Sequence, residues 1–166
     1  MKILKYFLCL LALGMLLCSC KQTVAKTEAQ QPDAPILFTR NGATLELPTK
    51  FFDYSESPIG VGHSFLYGSD VMGIMGDQYI KTRTESESLE SFVQSQAELH
   101  RVQATQKDGF WTITYDDPTQ NEPQIYICVF YETQSSYWIV SAYCPDRMFE
   151  DCCTDMWNYA TNVLFY

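Results

Sequence analysis

Histidine is scarce in this 166-residue chain, which has only His63 and His100. A metal centre built on several imidazoles is thereby excluded, and general acid–base work near neutral pH lacks the side chain it most often uses. Positive charge is also short, with 11 Lys+Arg against 20 Asp+Glu and a formal net charge of −9. Nucleic acid and anionic headgroups both repel such a surface, so no nucleic-acid partner is expected. No apolar run reaches the about 20 residues of a transmembrane helix; Tyr6–Cys18 offers roughly 13. Glycine amounts to 8 residues and nowhere forms a phosphate-cradling loop. Gly60-Val61-Gly62-His63-Ser64 lacks the third glycine opening a helix, leads into a strand, and does not place Ser between the glycines as a nucleophile elbow requires. It reads as a loop entering a strand, and no cofactor is expected.

What is present begins with a leader. Lys2 and Lys5 form a basic n-region, Tyr6–Cys18 has the length of a signal h-region, and the run closes on Leu17-Cys18-Ser19-Cys20. That closing tetrad resembles the lipobox of bacterial lipoproteins: an aliphatic residue, a variable one, a small one, then the cysteine that takes the lipid. Cys18 does not fit, because Leu17 is too bulky for the position before the cleaved bond. The expectation is a signal peptide over 1–19 and a lipidated Cys20 at the mature N-terminus. A single myristoyl chain binds only at about 10⁴ M⁻¹ and each further buried CH₂ adds about 0.8 kcal/mol, so the two or three long chains the resemblance implies anchor the protein stably. Lys21 stands where enterobacterial lipoproteins kept at the inner membrane carry aspartate, which favours the outer membrane. Residues 20–34 have no aromatic side chain and read as a flexible tether reaching on the order of 20 Å. Loss of Lys2 and Lys5 with the leader makes the mature chain about −11, an acidic surface.

Residues 35–166 read as one domain. All the aromatics except Tyr6 and Phe7 fall there, which argues for a well-formed core. Asn41-Gly42 and Asp108-Gly109 are type I′ signals for hairpins. They join Ile36–Thr39 to Ala43–Leu47 and Arg101–Gln106 to Phe110–Tyr115. Strands at about Gly62–Tyr67 and Val71–Gly76 flank Gly68-Ser69-Asp70. Thr84 and Glu87 suggest a capping box for a helix to about Leu99 with Leu89, Phe92 and Val93 inward. Pro145 is expected in the first turn of a terminal helix, with Phe149, Cys153, Met156, Trp157, Ala160 and Val163 recurring at helical spacing. Between these helices, Gln124–Glu132 and Tyr137–Tyr143 alternate apolar residues onto both faces, so both faces must be covered. Two helices are available, one for each face. The fold class is α+β, an antiparallel sheet flanked by a helix on each face.

A first strand ending in a proline (Ala43–Pro48), a mid-chain helix starting near Ser88-Leu89, an aromatic hairpin and a terminal helix after Cys144-Pro145 look like the PsbP-type fold. Photosystem II extrinsic subunits, a Ran-binding nuclear transport factor and DcrB-type bacterial lipoproteins share that fold, and Thr161–Phe165 approximates its closing strand. The resemblance implies non-enzymatic binding or assembly rather than one particular activity.

Four cysteines remain in the domain: Cys128, Cys144, Cys152 and Cys153. An oxidising envelope favours pairing. With a helix from Pro145, Cys144 and Cys152 stand about 12 Å apart along its axis, and a vicinal Cys152–Cys153 bridge is strained. A two-residue turn at Gln134-Ser135 sets Cys128 opposite Ser141, so Cys128 and Cys144 face opposite sides of the sheet. Buried free thiols, a disulfide involving Cys144 or Cys153, and a Cys144 thiolate activated by a helix N-terminus all remain open. Asp116, Asp117, Asn121 and Glu122 share a turn but lack the alternating spacing of a calcium loop, so no metal is expected. His100 falls at a helix C-terminus, where a cation suits the dipole.

The sequence therefore suggests a non-catalytic, lipid-anchored envelope protein that binds another protein. Two alternatives stand beside it: an inhibitor of a basic enzyme such as lysozyme, and a thiol-dependent enzyme using Cys144. The anchor is tested by mass spectrometry of the mature N-terminus, which should carry lipid on Cys20. A soluble protein whose distribution is unchanged by Cys20→Ala contradicts it.

Overall fold

The computed structural model describes residues 34–166; the leader, Cys20 and nearly all of the tether lie outside the described residues. Two strands set the rest. Strand β8 (Gln124–Glu132) and strand β9 (Ser136–Pro145) pair antiparallel with Cys128 opposite Ser141, Val129 opposite Val140 and Tyr126 opposite Tyr143. Since successive side chains alternate, Ile127, Val129, Trp138, Val140, Ala142 and Cys144 fall on one face, and Cys128, Phe130, Tyr137 and Ile139 on the other. This is the register and the facing expected from a two-residue turn at Gln134-Ser135.

Around this pair grows a seven-stranded antiparallel sheet. On one side stand β5 (Gly73–Ile80), β4 (Phe65–Gly68) and the short β3 (Phe52–Asp53). On the other stand β7 (Phe110–Asp117) and the short β6 (Thr105–Lys107). Among the described residues a second sheet of three strands has β2 (Ala43–Leu47) between β1 (Ile36–Arg40) and β10 (Val163–Phe165). The turns at Asn41-Gly42 and Asp108-Gly109 carry positive φ at both positions, 49° and 85°, then 51° and 86°, the I′ geometry that matches strand twist.

One helix covers each face, as the two-sided apolar strands require. Helix α1 (Leu89–His100) buries Phe92, Val93 and Ala97 against Ile113, Cys128, Phe130, Tyr137 and Ile139. Helix α2 (Phe149–Thr161) buries Cys152, Met156 and Ala160 on the opposite face, where Leu45, Leu47 and Val163 of the small sheet complete the core. The α+β class is therefore as read from the sequence.

Several local expectations are corrected. Helix α1 starts one turn later than Thr84 and Glu87 suggested: Ser88 caps it, and the box is closed by Ser91. Residues Lys81–Arg83 form a 3-10 turn, and Thr84 donates its N–H to the Lys81 carbonyl, so Thr84 is already engaged. Pro145 is the last residue of β9, paired with Gln124, and not a first helical residue; a 3-10 turn (Asp146–Met148) intervenes before α2. The buried stripe of α2 shifts accordingly to Cys152, while Cys153, Phe149 and Trp157 are only partly buried against the core. The helix stops at Thr161, and Val163–Phe165 crosses to pair with β2, Val163 lying opposite Leu45.

Met156 is fully buried between α2 and the sheet. Met156→Ala should lower stability by about 2–5 kcal/mol, read from denaturant midpoints at unchanged slope. A loss below about 1 kcal/mol, the level of ordinary surface substitutions, would mean that α2 is not docked in this way.

Candidate functional site

Helix α1 covers only part of its face. It ends at His100, where Arg101 turns left-handed (φ 58°) and its N–H closes on the carbonyls of Ala97 and Glu98. Past this end the sheet bears a row of rings. Register places Tyr115 opposite Tyr126 and Tyr126 opposite Tyr143. Tyr115 and Tyr126 stack at 5.0 Å and 6°, and Tyr126 and Tyr143 at 5.2 Å and 28°. His100 closes the row by stacking on Tyr115 at 3.9 Å. At the other end Tyr143 lies across Gly73 of β5, where any Cβ would occupy the ring's space. Such cross-strand aromatic contacts are the sheet's own stabilising unit, and here they form a continuous ladder that is only half-buried.

Beside the ladder lies a groove of about 320 Å³ lined by Ile59, His63, Leu66, Met75, Gln120, Gln124, Tyr126 and Tyr143. Met75 continues it into a smaller recess of about 80 Å³ under α1, bounded by Asp77, Gln96, His100, Cys128 and Ser141 among others. His63, from the loop before β4, reaches Asp77 of β5 with Nδ1 2.7 Å from the carboxylate. The two histidines, separated in sequence, thus border one face. The sequence reading missed this, and it missed Asp77 as a partner altogether. For the tyrosine row a usable signal existed: stepping two residues from the Cys128–Ser141 pair reaches Tyr126 and Tyr143.

Burial sets the protonation of this face. Burial, then the neighbouring Tyr143, pushes the Tyr126 phenol up to about 12, and burial likewise raises Tyr115 and Tyr143. All three stay neutral donors at physiological pH. Burial also lowers the His100 pKa, with Asp117 opposing that shift. Asp117 accepts hydrogen bonds from the Thr119 hydroxyl, the Thr119 N–H at 2.9 Å and the Gln120 amide at 3.2 Å, which hold its carboxyl below the usual range.

The other residues singled out by the sequence pattern fall elsewhere or play other parts. Cys128 lies at the floor of the recess, its Sγ 3.1 Å from Ser141 Oγ, and burial pushes its thiol up to about 12. Cys144 is fully buried on the other face, inside β9, so its expected place at a helix N-terminus is corrected; burial, and next the adjoining Cys152, raise it to about 12. Neither supplies a thiolate near neutrality. In the turn that follows Asp116 and Asp117, Glu122 pairs with Arg147 at 2.6 Å on the surface. Among the described residues no three His, Cys, Asp or Glu side chains converge as metal ligands.

No protein-family model and no curated protein matches the chain. Solved structures do. Cyanobacterial PsbP (CyanoP) from Synechocystis sp. PCC 6803 aligns with TM-score 0.50 at 7% identity, over 81% of this chain and 94% of that one. A protein of Bacteroides thetaiotaomicron VPI-5482 aligns with TM-score 0.54 at 6% identity, over 81% of this chain and 49% of that chain. The Saccharomyces cerevisiae Ran-binding protein Mog1p aligns with TM-score 0.49 at 11% identity, over 74% and 83%. The likeness to CyanoP supports a PsbP-like fold. At such identities the fold is what is shared.

Because the folded state holds the His100 proton less tightly than the unfolded chain, this site's contribution to stability is present above the ordinary value of 6.5 and is lost as pH falls from there through the lowered folded value. An NMR titration should place His100 below that value. Tyr115→Ala, which opens the ring to water, should move it back up. An unchanged titration in the variant would show that the stack does not set the His100 environment.

Proposed function

We propose that this domain is a non-catalytic binding module, held at the envelope by a lipid on Cys20, whose protein partner docks a lysine- or arginine-bearing segment across the Tyr115–Tyr126–Tyr143 row. One observation carries the reading: three in-register tyrosines and His100 form a half-buried ladder beside a groove on the part of the sheet that α1 leaves uncovered. Aromatic faces attract cations, and tyrosine is enriched where interfaces bind tightly. Asp117, at the end of the row, and the net charge of −9 favour a basic partner over an acidic one.

The edge strands of the seven-stranded sheet are short, β3 with two residues and β6 with three, the latter carrying Lys107, so those two strands offer a partner strand little to pair with. Chemistry is disfavoured by the same geometry. The Cys128 and Cys144 thiols are buried and protonated, and His100 stacks on Tyr115.

The test uses the full lipidated chain with a photoreactive phenylalanine analogue at position 126 or, as control, at position 155 on the exposed side of α2. A crosslinked partner is expected from 126 and not from 155. Tyr143→Ala or Asp117→Asn should weaken binding about tenfold, as loss of a central aromatic or charged contact does. Equal adducts from both positions, or adducts from 155 alone, overturn the reading. Salt-sensitive inhibition of a cationic lysozyme would replace it with the inhibitor reading. Turnover abolished by Cys144→Ala would replace it with the enzyme reading.

A further inference from the structure

The second core holds a cysteine cluster that the binding face does not use. Cys144, the penultimate residue of β9, is fully buried and points toward α2. After Pro145 a 3-10 turn (Asp146–Met148) intervenes, and α2 begins only at Phe149. Cys152 therefore lies in the first turn of a helix that folds back over the strand end, in the same core cluster, with its thiol adjoining that of Cys144. The 12 Å axial separation required by a helix running from Pro145 does not exist. Cys153 acts on Cys144 more weakly than Cys152 does, and it is partly exposed with its Sγ 3.6 Å from the Glu150 carbonyl; all four thiols are free in this structure. Cys128 is on the opposite face of the sheet, against Ser141.

We propose that Cys144 and Cys152 form a disulfide that ties the start of α2 to the end of β9 when the chain folds in an oxidising compartment. The step is a thiol–disulfide exchange with a disulfide donor, either a dithiol oxidase or oxidised glutathione. The Cys152 thiolate attacks one donor sulfur, and the first donor thiol leaves. The Cys144 thiolate then attacks the Cys152 sulfur of the mixed disulfide and expels the second donor thiol. Two protein thiols lose two protons and two electrons, and the donor disulfide becomes two thiols. The exchange occurs before α2 docks, while both thiols are exposed and ionise near their ordinary values. Docking then seals the bridge under Met148 and Phe149, which pack on this core.

The bond is sought by denaturing, reducing and refolding the full chain with oxidised and reduced glutathione, then blocking free thiols with N-ethylmaleimide. Non-reducing tryptic digestion cuts after Arg147 and separates the two cysteines. The expected product is a Cys144 peptide linked to the peptide carrying Cys152, retained in Cys153→Ala and absent in Cys152→Ala, with Cys128 alkylated. Reductant should lower the melting temperature of the bridged chain by about 5–10 °C. A Cys144→Ala/Cys152→Ala chain should show no response to reductant. Full alkylation of Cys144 after refolding, or a bridge that survives in Cys152→Ala, overturns the proposal.

Discussion

The rest of the structure depends on the pairing of β8 with β9. Both strands are apolar on both faces, so their register decides at once which residues enter which core. Setting Cys128 against Ser141 sends Trp138, Val140 and Ala142 toward α2 and the small sheet, and sends Phe130, Tyr137 and Ile139 toward α1. A slip of one residue would exchange every member of the two sets. Neither exchange fits, because Trp138 is enclosed by Phe65 and Phe165 and Phe92 packs between Tyr137 and Phe130.

The same register creates the surface that remains. Helix α1 has 12 residues, about 18 Å of axis, and ends at His100 before it has crossed the whole face. The row beyond it must be tolerable to water yet rigid, and stacked tyrosines satisfy both conditions: broad apolar rings held by their neighbours, with hydroxyls that keep hydrogen-bonding capacity. Packing and presentation thus follow from one alternation. Phe130 and Ile139 are core, while Tyr126 and Tyr143 on the same face are only partly buried and line the groove.

Much of this was legible in the sequence. Asn41-Gly42 and Asp108-Gly109 impose their turns locally, and the two-residue loop at Gln134-Ser135 sets the register of its hairpin without help from distant residues. Failures arose where two local signals competed or where a distant partner decided. Pro145 suits a first helical turn, but it equally suits a strand end where no N–H donor is needed, and Gln124 opposite it extends β9 instead. Thr84 and Glu87 had the spacing of a capping box. A helix begun there would have added Glu85, Ser86 and Glu87 with nothing apolar to bury, and Ser88 caps the first turn that includes Leu89 and Phe92. Val163 recurs at helical spacing, yet it opens the closing strand that Thr161–Phe165 approximates, because its partner, Leu45, lies near the other end of the domain. For the site, the tyrosines were visible as an alternation, whereas the His63–Asp77 pair depended on how a loop lies over β5.

Inter-strand nuclear Overhauser effects on the domain test the register most directly. The account predicts contacts between the rings of Tyr126 and Tyr143, and between Tyr126 and Tyr115, together with backbone contacts pairing Cys128 with Ser141. Contacts of Tyr126 with Ala142 or Cys144 instead would place the tyrosines in the α2 core, and both the division of the two cores and the binding face would be contradicted.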